Sequence, residues 1–475
     1  MIYSDFNSIE SYLPESLRQI LVECESNIFL IGGAIRDKFL ARKTHDYDFV
    51  IDGNVRLCAN HVAKRLEGHL YVLDNQRKTF RVIYYSDKGE RKTLDFASIR
   101  GDDIYYDLKT RDFTVNAIAV NIRDTKIILD PLNGVKDIQK KIVRACYKGA
   151  FVDDPIRILR GIRIAHTLSF RIIGETWQLM KDAVEYIPNL SVERIRDEIF
   201  LMFDHELAYA MMRTLQYIGL SDIFYKYPLT GCDKQNVNIK EDDLLIQAIR
   251  RYLEIYNVLI GQNDQGFGNN LLLGIALSEL GKYKENLRQH YQNALCIERS
   301  LKSLSVFSII YSLLYIDIEI CNYLSYFKLS NKEIKWIEAI VRHHQIMMNW
   351  FENNQTPEDI DIYRYFKNSG AAGIDACIIS LAFYLAHHNF DVDQSVWERV
   401  LKNCGLIFEA WFNKKEKIVE PPRLITGYDI QKLFNLKTNI IIGGVLSKVK
   451  EAQVLGEIRS KEDALEFARS IVEKM

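Results

Sequence analysis

The chain has 475 residues, 48% hydrophobic and 26% charged, and its 62 Lys plus Arg balance its 63 Asp plus Glu. At roughly 100 to 200 residues per domain, this predicts two to four folding units and excludes disorder as the overall state. With charge near balance, a nucleic-acid partner would have to be held by a local basic face.

Taken in chain order, the first 13 residues carry acids where a signal peptide needs a basic start, so the expected location is cytoplasmic. Short β-branched and aromatic runs follow at Ile28–Ile31, Phe49–Ile51, Phe80–Tyr85 and Ile118–Val120, with helical patterns between them. They predict a mixed α/β head over 1–145. From Asp154 onward helix periodicity takes over. The apolar stretches Ser303–Ile316 and Ala376–Phe390 fall short of the roughly 20 residues a membrane span needs, so they read as buried helices and no membrane is expected. Pro421-Pro422, after the charged run Lys414–Lys417, marks a boundary. The expected division is a head over 1–145, a neck over 146–215, a body over 216–420 and a tail over 421–475. Eight cysteines are scattered without a C-x-x-C pair, which predicts reduced, mostly buried thiols.

The chemistry-bearing residues start at Gly32-Gly33, directly after an apolar run. Paired glycines let backbone amides approach a phosphate, and a helix starting there adds its N-terminal dipole. In Asp46-Tyr47-Asp48 the carboxylates alternate along a strand, so both project to one face and can share a pair of Mg2+ ions. Phe49-Val50-Ile51 follow, which makes burial costly unless a metal compensates. Asp95 is a third strand carboxylate, either completing that site or lying on the surface. Arg111 suits a phosphate, whereas Asp112 and Asn116 suit a ribose hydroxyl or the orientation of the acids. Asp130-Pro131 and Asn133-Gly134 read as turn chemistry. Asp153-Asp154-Pro155 reads as a helix start with an aspartate N-cap. Arg157, Arg160 and Arg163 then share one broad helix face, by themselves a solvated or salt-bridged stripe.

In their order and spacing these clusters, with Ser191–Glu198, resemble the motif series of the class II tRNA nucleotidyltransferase and poly(A) polymerase family. The resemblance implies an α+β fold: a polymerase-β-type nucleotidyltransferase head with a mixed sheet, then an all-helical neck, body and tail. It implies a template-independent enzyme that transfers CMP, and AMP where CCA is completed, from CTP and ATP to the 3′ end of tRNA by two-metal catalysis. Asp46 and Asp48 become the Mg2+ ligands and Asp95 a third catalytic carboxylate. Gly32, Gly33 and Arg36 lie against the triphosphate; Arg111, Asp112 and Asn116 serve sugar and phosphates; Arg160 and Arg163 join the nucleotide-binding set. Asp154 and Arg157 become the base-reading pair, and hydrogen-bond chemistry supports this. Cytosine and adenine present an amino donor beside a ring-nitrogen acceptor, which an Asp acceptor and an Arg donor match; uracil and guanine present the reverse order and leave both groups unpaired. A poly(A) polymerase is the rival within the family. A non-catalytic RNA-binding relic is disfavoured by the intact acids and base-reading pair.

Two departures from the family pattern carry expectations of their own. Only Gly101–Tyr106 separates Arg100 from Asp107, where relatives that add all three nucleotides carry a long flexible loop. This shortness resembles relatives that add only two cytidines. In the body, Leu277-Ser278-Glu279-Leu280-Gly281-Lys282 resembles the core of an HD phosphohydrolase module in which Ser278 and Glu279 replace the metal-binding His-Asp, so a metal-free fold is expected there. His343-His344 and His387-His388 cannot chelate from one helix face and read as core or surface residues. Segments at Ile362–Gly370, Arg423–Asp429 and Leu455–Arg459 also resemble these relatives, Ser460 is placed to cap a last helix, and Lys432, Lys437, Lys448 and Lys450 are candidate tRNA phosphate contacts.

Overall fold

The computed structural model describes residues 13–44, 46–86, 89–125, 127–221, 223, 242–261, 270–292, 299–314, 324–388, 391–434 and 440–473. Cys232, Cys296, Cys321 and Lys437 lie outside the described residues. The chain divides into two compact units, Met1–Glu198 with Thr214–Leu220, and Ile199–Arg213 with Ser221–Met475.

The first unit is organised by a seven-stranded sheet. Its strands are β1 (Asn27–Ile31), β2 (Asp46–Asp52), β3 (His69–Asp74), β4 (Thr79–Tyr85), β5 (Arg91–Ser98), β6 (Ala119–Asn121) and β7 (Ile128–Leu129), in the order β3-β4-β5-β2-β1-β6-β7. β2 and β5 run parallel and the other neighbours antiparallel, so the sheet is mixed. Strand alternation decides which face each residue takes. Phe49 and Phe96 are register partners with rings stacked 5.2 Å apart, and both are fully buried. Burying each stabilises by about 1.5–3 kcal/mol. The same pleat therefore turns Asp48 and its partner Asp95 to the opposite face, and a one-residue slip would exchange the two sets.

Helices close both faces. On the phenylalanine side, α1 (Glu15–Val22) meets α3 (Val55–Arg65), which starts where the Asn54 side chain accepts the Leu57 N–H, packs on β4, and buries Val55, Cys58, Ala59 and Val62. On the acid side, Ile31, Val50, Ala117 and Ala119 form a small core with Ile104 and Leu108 of α4 (Ile104–Lys109). α2 (Gly33–Phe39) follows β1, and α5 (Gly134–Gln139) follows β7. Asp130, expected as plain turn chemistry, instead is buried and accepts the N–H groups of Gly134 and Val135 at 2.6 and 3.0 Å, so it holds the start of α5. Gly134 is required there, since a Cβ would lie 2.0 Å from the Thr114 carbonyl oxygen.

Beyond the head come α6 (Ala150–Asp153), α7 (Ile156–Leu168), α8 (Gly174–Asp182), α9 (Val192–Phe203) and α10 (Ala208–Ile218). The expected all-helical neck has one exception. Ser169 ends α7 in the left-handed conformation, Phe170 is buried, and the chain returns extended as β9 (Arg171–Ile172), parallel to β8 (Ile142–Val143).

The second unit is helical. The helix Ala372–His387 is buried from Ala372 to Ala386 and packs against Asn331–Glu352 and Asp242–Leu259; Leu301–Leu314 is the other buried apolar helix. Among the described residues no single helix is long and apolar enough to cross a membrane; Asp359–Ser369 and Ala372–His387 reach that length only together, across a 109° bend. The helix Leu271–Leu280 carries Ser278 exposed and Glu279 half-buried, and among the described residues no three His, Cys, Asp or Glu side chains converge on a metal position. His343 and His344 are buried, and His387 and His388 are exposed. In the last module, Gly427–Phe434, Ile440–Val454 and Lys461–Val472 enclose Ile430, Ile442, Val445, Val449, Ala464 and Ala468. Ser460 caps the final helix in a capping box with Asp463.

Candidate active site

β1 delivers Gly32 at φ +71°, a conformation that favours glycine, and α2 starts at the next residue. A Cβ on Gly32 would stand 3.7 Å from the Asp48 carboxylate, so the glycine pair and the acids lie side by side. Asp46 and Asp48 are open on one face of β2, with Asp95 beside Asp48 in register. The Asp48 carboxyl opens into a cleft but is crowded by protein on its other sides. That depth, tempered by the water an open cleft admits, then the charges of Asp95 and Asp46, push its pKa up from the usual carboxylate range to about 6. The Asp46 and Asp48 carboxylates, oxygen donors on one face, fit a hard divalent cation, which would relieve their repulsion. Asp95 is not free for it, because Arg81 of β4 closes a fork on its carboxylate with two bonds of 2.7 Å.

The opposite wall is a chain of polar contacts. Asp112 is buried and accepts from the Phe113 N–H at 2.8 Å, Asn116 Nδ2 at 3.2 Å and Arg160 at 3.3 Å. Burial alone would raise its pKa, but Arg160 and the two hydrogen bonds outweigh burial and hold it below the usual carboxylate value. Asn116 Oδ1 in turn accepts from Arg36 at 2.7 Å, and Arg36 also donates to Asp37. Arg111 is paired at 2.6 Å with the buried Asp107, which also accepts the Arg100 N–H. Together Gly32, Gly33, Arg36, Asp46, Asp48, Asp95, Arg111, Asp112, Asn116, Arg160 and Arg163 line one cleft of about 790 Å3. Lys43, Thr44, Thr79, Arg100 and Thr167, which sequence reasoning passed over, line it too.

Two residues singled out from the sequence lie outside that lining. Arg157 is buried, and its guanidinium donates to the carbonyls of Thr110, Arg111 and Ala150 and to the Tyr147 hydroxyl. The expected arginine stripe is therefore not solvated: Arg157 points into backbone, Arg160 pairs with Asp112, and Arg163 pairs with Glu198 at 2.6 Å. The expected aspartate cap is also corrected. Pro155 is the N-cap residue of α7, with no side-chain cap, while Asp154 pairs with Arg194 at 2.9 Å and Asp153 accepts from the Tyr147 hydroxyl at 2.7 Å. Competing cationic and hydroxyl donors took both carboxylates. Arg81 left a faint signal, a charge inside the apolar run Phe80–Tyr85, but its pairing with Asp95 depends on register. In the second unit, Lys432 and Lys448 are exposed, and Lys450 lines a pocket of about 400 Å3 with Lys367 and Arg423.

Residues 28–144 match the family described as "Poly A polymerase head domain", and residues 169–228 match "Probable RNA and SrmB- binding site of polymerase A". The chain is similar to a CC-adding tRNA nucleotidyltransferase of Geobacter sulfurreducens, 27% identical over 97% of this chain and 95% of the relative. It is also similar to an A-adding tRNA nucleotidyltransferase of Deinococcus radiodurans, 24% identical over 94% and 95%. Among solved structures, the Thermotoga maritima CCA-adding enzyme complexed with tRNA matches with a TM-score of 0.59 at 20% identity, covering 98% of this chain and 99% of that one. At that identity the likeness bears on the fold alone.

Proposed function

Since the chain belongs to the tRNA nucleotidyltransferase and poly(A) polymerase family, we propose that it transfers CMP from CTP to the 3′ end of tRNA, adds two cytidines and stops. In this reading residues 1–145 are the catalytic head, 146–215 the neck, 216–420 the body and 421–475 the tail. The observation that carries the product is the short connection after β5. Gly101 at φ +67° packs against the Tyr106 ring, Asp103 caps α4 by accepting the Tyr106 N–H at 2.7 Å, and Asp107 accepts the Arg100 N–H at 3.0 Å. The segment is tied down along its length, so no spare chain reaches over the cleft to reshape it for a larger base. The greater similarity to a CC-adding than to an A-adding full-length relative supports the same product.

The chemistry is phosphoryl transfer: the RNA 3′-oxygen bonds to the α-phosphorus, the α–β anhydride breaks, and pyrophosphate leaves. Asp46 and Asp48 would hold the pair of Mg2+ ions, which when bound would lower the pKa of the attacking hydroxyl and neutralise phosphate charge. Gly33, at the start of α2, lets the triphosphate approach closely, Gly32 turns the chain there with its own N–H held by the Ile118 carbonyl at 3.2 Å, and Arg36, Arg111, Arg160 and Arg163 answer the charge. Asp112 orients Arg160, Asn116 orients Arg36, and both meet the sugar, while Asp107 holds Arg111 and Glu198 holds Arg163. Asp154 exchanges Arg194 for the cytosine amino group, and Arg157 becomes the neighbouring donor by exchanging its bonds to the Thr110 and Arg111 carbonyls for the base. Closing that pocket around CTP leaves UTP with two unpaired groups.

The test is the product itself. A tRNA lacking CCA and an unstructured RNA are each incubated with CTP, ATP or both, and the 3′ ends are sequenced. Two cytidines on tRNA, with both nucleotides present, is the expected result. A terminal adenosine on most tRNA products overturns the two-cytidine reading, and long adenosine tails on the unstructured RNA identify a poly(A) polymerase instead.

A further inference from the structure

The acid face of the sheet gathers three carboxylates. Asp46, Asp48 and Asp95 all point to it, and one cation from the same sheet reaches them. Arg81 is the register partner of Asp95 across β4 and β5, as Asp95 is of Asp48 across β5 and β2, so Arg81, Asp95 and Asp48 form one row on one face. The Arg81 Nε and a terminal nitrogen each sit 2.7 Å from a different oxygen of Asp95, the planar fork that arginine makes and lysine cannot. Neither partner is fully exposed, at 39% and 26%. It is the two-point geometry of the fork, more than burial, that makes the pair a part of the centre. A carboxylate with both oxygens taken by a guanidinium has its best lone pairs committed, and among the described residues no three acids converge as ligands.

We propose that Arg81 is a positioning residue of the acidic centre: by locking Asp95 it removes the third carboxylate from the ligand set and reserves Asp46 and Asp48 for the divalent cation. This rests on the reading of Asp46 and Asp48 as the cation-holding pair. The raised pKa of Arg81, owed first to its bonds with Asp95, agrees with a guanidinium held in an acidic field.

The test is direct Mn2+ binding to the full chain, without RNA or nucleotide, followed by electron paramagnetic resonance of the free ion. Asp46→Asn and Asp48→Asn examine the underlying reading, and each is expected to weaken binding by about tenfold or more, whereas Arg81→Met/Asp95→Asn keeps it within about threefold of wild type. That double variant removes both charges together, so no buried group is left unpaired, and circular dichroism checks its fold. Arg81→Met alone frees Asp95 and is expected to tighten Mn2+ binding several-fold. If the double variant loses as much affinity as Asp48→Asn, Asp95 is itself a ligand and the proposal is overturned. If Arg81→Met leaves the affinity unchanged, the lock does not exist. If Asp46→Asn and Asp48→Asn both bind like wild type, the underlying reading falls first, and that pattern is distinct from the other two.

Discussion

Replacing Asp112 with Ala probes how the cleft wall is held together. The carboxylate is 8% exposed and accepts three bonds, from Phe113, Asn116 and Arg160. Its removal leaves a buried N–H unpaired and the Arg160 charge without its partner. Breaking a buried pair by deleting one member costs about 3–5 kcal/mol, but Arg160 is partly open to the cleft, which brings the expectation to about 3 kcal/mol. Asp112→Asn keeps an acceptor for the Phe113 N–H but turns an amide donor toward Arg160, so about half that loss is expected. Trp177 is the single tryptophan of the first unit, so 19F spectra of 5-fluorotryptophan-labelled protein in urea report the unfolding of that unit alone. Because Asn116 bridges Asp112 to Arg36, CTP affinity should fall together with stability. A loss below about 1 kcal/mol for Asp112→Ala would show that the pairs exchange freely with water and would refute the linked-wall account.

Further outcomes follow from other parts of the molecule. Asp46→Ala or Asp48→Ala should abolish CMP transfer while the urea midpoint stays at or above wild type, since deleting a repelling acid relieves the apo site; near-normal turnover would remove them from the chemistry. Asp154→Ala should reduce the preference for CTP over UTP by about 1–3 kcal/mol, measured as a ratio of kcat/KM, and an unchanged preference would mean that other residues read the base. Since Asp154 does not cap α7 through its side chain, the melting temperature should move little. His344 is buried, and burial, followed by nearby His387, lowers its pKa from 6.5 to about 3. The unfolded chain takes up this proton and the folded chain does not, so stability is whole above pH 6.5 and is lost as pH falls toward 3, by about 2 kcal/mol at pH 5. Urea titrations at pH 8 and pH 5 should show that His344→Gln loses less than wild type by about that amount; equal losses would place the sensitivity elsewhere.

Several features needed nothing beyond the order of residues. Asp46 and Asp48 share a face because a strand alternates, and the apolar Phe49 after them decides which face is wet; both facts are local. Gly32-Gly33 after an apolar strand, the helical second half and the Ser460 cap are legible for the same reason: the forces that set them act within a few residues. The partner of each charge is not local. Arg81 meets Asp95 only because β4 and β5 pair in one register of several that their apolar patterns allow. Asp154 and Arg157 read alone as cap and stripe, yet Arg194, 40 residues on, takes the first, and the carbonyls of Thr110 and Arg111 take the second. A charge in a partly dry site is placed by whichever opposite group the fold brings within about 3 Å, and that competition is settled by tertiary packing. The sequence by itself determined which chemical groups this protein brings to its cleft; the tertiary structure alone decided which of them are left open to a ligand and which are already spent on one another.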